Sequence, residues 1–270
     1  MKRIVIVLVV LVGLLVGADF GAATFAEHTV SQKAREQLGL DQDPAVSIHG
    51  FPFTLQAISG EYDHISITAD GVRVQELQDI SVRANLHDVK APMSDLTSGN
   101  VDNIKIGRLV GEITLKASDI ARVAPLTNID DLRIEPSSKA YVLHGEGVDE
   151  EKAAEIEESG DDSTAGVRLS GKADVAGERI EIFAFAMIEL DGTTIRITPH
   201  RLQFGNDKET TVVPEEVQQA LLPNFEADIN AGDMPFTVTP TAIHVASGSL
   251  TLHGEAENVT FAGVSDTFGG

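Results

Sequence analysis

The sequence predicts a β-dominated α+β fold, and three observations support that fold class. Apolar residues recur at every second position through most of the chain after residue 39, as expected for strands with one buried face. Helical spacing with suitable capping residues is confined to the N-terminus and to short segments near residues 118 and 215. The chain has 270 residues and no cysteine, so packing and not disulfide bonds must hold its core.

The N-terminus has the pattern of an export signal. Two basic residues precede residues 4–18, which contain no polar side chain, and Asp19 ends that run. A run of this length is at the upper end for a signal-peptide core and shorter than the roughly 20 residues of a membrane span. Residues 24–26 form an imperfect cleavage site. We therefore expect residues 1–18 to be a signal peptide or a signal anchor, favour the uncleaved anchor, and place the rest of the chain outside the cytoplasm.

Residues 19–270 are expected to form a single β-domain. An amphipathic helix is predicted at 19–38, where Gly39 ends it, and shorter helices at 118–123 and 214–222. Alternating apolar and polar residues predict strands at 80–86, 104–106, 113–115, 167–175, 179–190, 194–198, 242–245 and 250–253.

Residues 147–166 form an acidic stretch that interrupts this pattern. It contains eight acidic residues and one lysine. A segment with so much charge and so few large apolar residues is typical of a solvent-exposed loop. The alternating Asp and Asn spacing of an EF-hand is missing, so no calcium site is expected. We expect a loop whose removal leaves the fold intact.

The segment 179–190, RIEIFAFAMIEL, has apolar residues on both faces of the predicted strand. Ile182, Ala184 and their even-numbered neighbours share one face, and Phe183, Phe185 and Met187 share the other. A strand with one wet face does not have this pattern. Either both faces pack on protein, which is the commoner cause, or one face lines a cavity without water.

A second apolar segment surrounds a proline. Phe51 and Phe53 flank Pro52, and Leu55 and Ile58 follow closely. Proline cannot donate a hydrogen bond to a central ladder, so this position is expected to bend or bulge a strand. Such a bend fits the rim or wall of a cavity, although both rings filling the core is an equally good interpretation.

Charge and motifs favour binding over catalysis. The net charge of −22 repels phosphate backbones and anionic headgroups, so nucleic acid is not an expected partner and lipid contact requires apolar surface. The eight histidines lack the helical pair spacing of zinc proteases. The sequence also lacks a G-x-S-x-G elbow, a P-loop and a G-x-G-x-x-G motif. We expect no catalytic residue, no metal and no cofactor.

Residues 46–115 carry a string of spaced elements: Gly50 to Phe53, Ser59-Gly60, residues 67–72, and the segment Pro92 to Leu96. This pattern resembles the LmeA-like phospholipid-binding family of actinobacterial cell-envelope proteins. The resemblance implies an elongated, strongly curved antiparallel sheet or barrel wrapped around helices, with a hydrophobic central cavity. That architecture is similar to the tubular lipid-binding domains of bactericidal/permeability-increasing proteins.

The resemblance also implies phospholipid binding in the envelope and, for the best-known relatives, a role in the maturation of mannosylated lipoglycans. It implies no catalytic residues. The leading hypothesis is a carrier or accessory factor that holds a phospholipid or glycolipid, anchored to the cytoplasmic membrane by its N-terminal segment. The alternatives are an envelope enzyme acting on glycolipids and a structural domain with a solid core. The candidate lipid-contacting residues are Phe51, Phe53, Leu55, Ile58, Phe183, Phe185 and Met187.

Overall fold

A computed structural model of the chain describes residues 2–98, 100, 104–159, 162–175, 177–192, 194–205, 210–230 and 239–260. Antiparallel strands dominate, and helices lie mainly at the N-terminus and in the connections. The predicted fold class, a β-dominated α+β protein with curved antiparallel sheets, is confirmed.

The helices are α1 (Lys2–Leu38), α2 (Phe53–Ser59), α3 (Met93–Ser98), α4 (Ala117–Ile120), α5 (Lys139–His144), α6 (Glu150–Ser159) and α7 (Glu215–Leu221). Short 3₁₀ turns lie at Leu126–Asn128 and Leu222–Phe225. The first strands are β1 (Ala45–His49), β2 (Glu61–Val74), β3 (Leu77–Lys90), β4 (Lys105–Lys116), β5 (Asp130–Pro136) and β6 (Thr164–Val175). The later strands are β7 (Glu178–Asp191), β8 (Thr194–Gly205), β9 (Thr210–Val212), β10 (Ala227–Asn230), β11 (Thr239–Ala246) and β12 (Ser249–Thr260).

The strands form two sheets. One has the order β1-β2-β3-β4-β12-β11, and the other has the order β10-β8-β7-β6-β5, with β9 paired to β8. Strand β7 pairs along most of its length with both β6 and β8. It is therefore an interior strand of its sheet, and its backbone amides and carbonyls bond to neighbouring strands and not to water.

The chain divides into two compact units. Unit 1 comprises Met1–Val72, Val82–Gly111 and Ala256–Gly270, and unit 2 comprises Arg73–Ser81 and Glu112–Glu255. In unit 1, α1 packs on β1, α2 and α3. The single domain expected from the sequence stays a prediction.

Three histidines of unit 1 that are far apart in sequence are neighbours in the structure. The rings of His49 and His64 stack with centroids 4.4 Å apart, and those of His64 and His87 stack at 4.6 Å. Strand pairing places His49 directly opposite His64. The three rings therefore form one stack on this part of the sheet.

In unit 2, strand β11 lies near β5, β6 and β7. The amide of Ile243 on β11 donates to the carbonyl of Asp162 at 2.7 Å, and the amide of Gly248 donates to the carbonyl of Ile134 at 2.8 Å. The buried carboxylate of Asp119 accepts hydrogen bonds from the amides of Gln78 and Asp79. These bonds tie the start of β3 to the segment that follows β4.

The structure corrects two sequence-based predictions. The proline segment does not bulge a strand: β1 ends at His49, and helix α2 begins at Phe53 with Pro52 in the N-cap position. The acidic stretch 147–166 is not only a loop, because it contains helix α6, which packs on α5. For α6 the cause is local, since acidic residues favour the first helical turn. For α2 the cause is long-range, because the carboxylate of Asp19 accepts from the amides of Phe53 and Thr54.

Candidate functional site

Helix α1 carries the membrane-compatible part of the chain. Within the described residues it is the one helix long and apolar enough to cross a membrane, over Val9–Glu36, and little of its most apolar part is buried. A signal sequence passes the same test, so length and composition alone do not separate an anchor from a signal peptide. Its apolar side chains between residues 9 and 15 are largely exposed.

The second half of α1 is held in unit 1 by specific polar contacts. The hydroxyl of Ser31 donates to the carbonyl of Pro44 at 2.6 Å, and a carboxylate oxygen of Glu27 accepts from the amide of Ile48 at 2.7 Å. Ala26, which directly precedes Glu27, is buried. These side-chain hydrogen bonds therefore pack this part of α1 into unit 1.

Asp19 connects α1 to α2. Its two carboxylate oxygens accept hydrogen bonds from the amides of Phe53 and Thr54, each at 2.8 Å, and the residue is 6% exposed. The first amides of a helix lack internal partners, and Pro52 provides no side-chain cap here. A carboxylate from a different helix thus takes the role that a local N-cap residue usually has.

Two glycines set the ends of the α2 segment. Gly50 has a φ of +108°, and a Cβ there would lie 2.6 Å from the side-chain nitrogen of Gln56. Gly60 has a φ of +70° and donates its amide to the carbonyl of Gln56 at 2.8 Å, which closes the helix. The side chain of Gln56 also bonds the carbonyl of His49 and the amide of Asp63. The elements that carry the family resemblance therefore build a defined helix between two strands.

The predicted lipid-contacting residues on this segment separate into two environments. Phe53 is buried, whereas Phe51, Leu55 and Ile58 are exposed. The ring of Phe51 stacks on that of Phe20 from α1, with centroids 6.2 Å apart. Leu55 and Ile58 are three residues apart and share one side of α2. Phe20, Phe51, Leu55 and Ile58 are called the α2 patch below.

The other predicted residues form a cluster in unit 2. Phe183, Phe185 and Met187 are buried together with Val142 of α5, and Tyr141 packs against them. The rings of Tyr141 and Phe185 meet edge to face at 4.9 Å. The opposite face of β7 is buried as well, at Ile182, Ala184, Ala186 and Ile188. The two apolar faces of β7 are therefore both covered by protein in this structure.

Arginines line the edge of that cluster. The guanidinium of Arg201 lies 4.6 Å from the ring centre of Tyr141 and 5.2 Å from that of Phe185, and it donates to the carbonyl of Tyr141. The guanidinium of Arg168 lies 5.4 Å from the ring centre of Phe183. Arg201 therefore holds α5 on the sheet through the ring face and the carbonyl of Tyr141, whereas Arg168 contacts β7.

The ionisable side chains of the described residues do not assemble a metal site. They include no group of three or more histidine, aspartate or glutamate side chains arranged to hold a metal ion. The two buried aspartates, Asp19 and Asp119, accept bonds from backbone amides. Both acids therefore have structural partners.

Sequence reasoning missed two parts of this arrangement. Asp19 was identified only as the end of the apolar run, since its partners lie 34 and 35 residues away. Helix α5 was not predicted, although Ser138 caps it by accepting from the amide of Tyr141. A serine before KAYVLH was the available signal, but six residues are too few for helical periodicity to show.

Comparison with known proteins gives one match. The family model described as LmeA-like phospholipid-binding matches residues 17–255. No curated protein and no solved structure matches the chain. The matched range begins inside α1 and includes α2, the cluster around β7 and most of β12.

Proposed function

This chain belongs to the LmeA-like phospholipid-binding family, and we propose that it holds a phospholipid or a related envelope lipid while α1 keeps it at the membrane. The observation that carries this proposal is the extent of the family match, which includes nearly the whole folded chain. The family is defined by binding and not by a reaction. We propose a carrier or accessory role in envelope lipid or lipoglycan metabolism, without catalysis.

A carrier must cover the acyl chains of its lipid, because each methylene left in water costs about 0.8 kcal/mol. The chain has a net charge of −22, which disfavours binding by headgroup attraction alone. Apolar surface is the remaining means of recognition. This supports binding through the tails and agrees with the low number of basic residues.

For the acyl-chain contacts we propose Phe183, Phe185 and Met187, beneath helix α5. These side chains pack on α5 in this structure, so lipid reaches them only when α5 moves away from β7. Helix α5 has six residues, and Tyr141 and Val142 are its contacts with the cluster. Movement of α5 also requires Arg201 to release the carbonyl of Tyr141. A helix of six residues is short enough to act as a movable cover.

We also propose that α1 stays attached as an anchor. Cleavage after residue 26 would remove Asp19 and leave the amides of Phe53 and Thr54 without their acceptor. It would also make Glu27, whose carboxylate accepts from the amide of Ile48, the new N-terminal residue. The intact mass of the protein isolated from membranes tests this: the expected mass includes residues 1–18, and a chain beginning at residue 27 contradicts the proposal.

Lipid binding itself is tested by the phospholipid content of the full chain purified in a nonionic detergent. The control is α1 alone, Lys2–Leu38, fused to an unrelated soluble protein, because any membrane helix retains some surrounding lipid. We expect extracted phosphorus per protein to exceed that of the fusion after exhaustive detergent washing. Equal phosphorus in the two samples would contradict lipid binding outside α1.

A further inference from the structure

We propose that the α2 patch is a second membrane contact, in which Phe51, Leu55 and Ile58 enter the leaflet from which the rest of the chain emerges. This inference rests on the proposed function only in placing α1 in a membrane. It does not require that strands of unit 2 bind lipid. The occupant of the patch is a bilayer surface, and the reasons are the length of α1, the position of the patch and its lack of charge.

Helix α1 as a whole is long enough to cross a bilayer, but its uninterrupted apolar run is shorter than the hydrocarbon core. Residues 4–18 contain no polar side chain, and at 1.5 Å per residue they span about 22 Å. The hydrocarbon core is about 30 Å thick, so this run falls several ångströms short. A membrane protein compensates for such a shortfall by thinning the bilayer or by adding apolar surface at the boundary.

The α2 patch lies where that compensation is needed. Asp19 follows the run directly and bonds the first amides of α2, so the position of α2 relative to this end of α1 is fixed by two hydrogen bonds. Phe20, the next residue, stacks on Phe51. Phenylalanine and leucine side chains commonly form the apolar face of helices that lie in the membrane boundary. The α2 patch therefore adds apolar surface beside α1, next to the residue at which the apolar run of α1 ends.

The α2 segment also suits an interface in its charge and backbone bonding. Residues 50–60 contain no charged side chain, in a chain with 62 charged residues, counted as 20 basic plus 42 acidic. At its start the amides of Phe53 and Thr54 donate to Asp19, and at its end the amide of Gly60 donates to the carbonyl of Gln56. Backbone groups that already have partners enter an apolar layer at lower cost. Ile58 is 84% exposed, so its side chain is available to the layer.

The natural chain has no cysteine, which allows a single probe to be placed by Ile58→Cys. The full chain carrying an environment-sensitive fluorophore at this position is reconstituted into phosphatidylcholine and phosphatidylglycerol vesicles. The matched control is Asp70→Cys. Asp70 is an exposed residue of unit 1 on β2, the strand that follows α2. Asp70 lies nine residues beyond Glu61, about 30 Å along β2.

We expect lipids with a nitroxide near the headgroup to quench the Ile58 probe, and aqueous iodide to quench it several-fold less than the Asp70 probe. Adding Leu55→Asp should restore iodide access at position 58. Equal iodide access at both positions would overturn the proposal. Protection that persists in detergent without vesicles and rises with protein concentration would also overturn it, in favour of contact with a second copy. The phosphorus assay is independent of these results, so failure of lipid binding and failure of α2 insertion are distinguishable.

Discussion

The α2 segment and strand β7 have similar apolar side chains but opposite environments. Leu55 and Ile58 on α2 are 62% and 84% exposed, while Phe183 and Phe185 on β7 are buried. Helix α2 has seven residues and is attached along one side by Asp19 and Phe53, and its other side is exposed in the part of the chain that the structure describes. Strand β7 lies between β6 and β8, and α5 covers its outward face. The neighbours of an element, and not its composition, decide whether its apolar residues are core or surface.

The largest expected effect is on the stability of the buried region, strand β7. Phe183→Ala should lower the free energy of unfolding by about 3–5 kcal/mol, because it leaves a cavity under α5. Ile58→Ala is the matched exposed change and should alter it by less than about 0.5 kcal/mol. Urea unfolding of the two variants in the same detergent measures both values. Equal losses would show that α2 is packed or that β7 is not.

The next effect concerns the carboxylates that hold each region. Asp119→Ala should cost about 2 kcal/mol or more, because the amides of Gln78 and Asp79 lose a charged acceptor. Asp119→Asn keeps one acceptor oxygen and should cost less. Asp19→Ala should instead loosen α2 locally, which amide hydrogen exchange at Phe53 and Thr54 detects. Unchanged protection of those two amides would contradict the role of Asp19.

Removal of the acidic segment tests the corrected interpretation of residues 147–166. Deleting residues 148–163 removes the carbonyls of Asp162 and Ser163, which accept from the amides of Ile243 and Leu190. We expect a loss of about 1–3 kcal/mol in unfolding free energy, since these amides lie in strands. Thermal unfolding of the deletion variant provides the measurement. An unchanged midpoint would restore the original interpretation as a dispensable loop.

The smallest effect is at Tyr62 in unit 1, which is buried and whose hydroxyl has no hydrogen-bond partner among the described residues. Burial raises the pKa of the Tyr62 phenol, because the phenolate would be poorly hydrated. The folded state therefore holds this proton more tightly than the unfolded chain. The stabilisation from protonated Tyr62 is complete below the unfolded pKa of about 10. It is lost as pH rises through the higher pKa of the folded state.

Tyr62→Phe should therefore leave stability within about 1 kcal/mol at neutral pH and reduce the loss of stability at alkaline pH. Urea unfolding at neutral pH and above about pH 10 compares the variant with the natural chain. An equally steep alkaline loss in both proteins would show that Tyr62 does not contribute to it.

Much of the fold was predictable because period-two alternation records which face of a strand is buried. The expected strands at 80–86, 167–175, 179–190, 194–198 and 250–253 all lie within strands of the structure. The pattern on 179–190 also showed correctly that both faces avoid water. It contained no information on what covers the outward face, because α5 is about 40 residues earlier in the chain and too short to show periodicity.

The candidate site was less predictable because its key contacts are long-range. Asp19 and Phe53 are 34 residues apart, and no local spacing links an acid on one helix to the start of another. The proline at 52 suggested a strand bend, whereas the amide acceptor from α1 permits a helix at that position. The sequence thus identified Phe51, Leu55 and Ile58 as candidates but not the exposed surface on which they lie.

The most direct test of the central proposal is to map where a bound acyl chain touches the protein. The full chain is reconstituted with a phospholipid that carries a photoreactive group in its acyl chain, irradiated, digested and analysed by peptide mass spectrometry. We predict crosslinks on β7 around Phe183, Phe185 and Met187, and fewer of them when Phe185→Asp places a charge there. Crosslinks confined to residues 2–60 would show contact with the bilayer alone and would contradict lipid binding by the sheet.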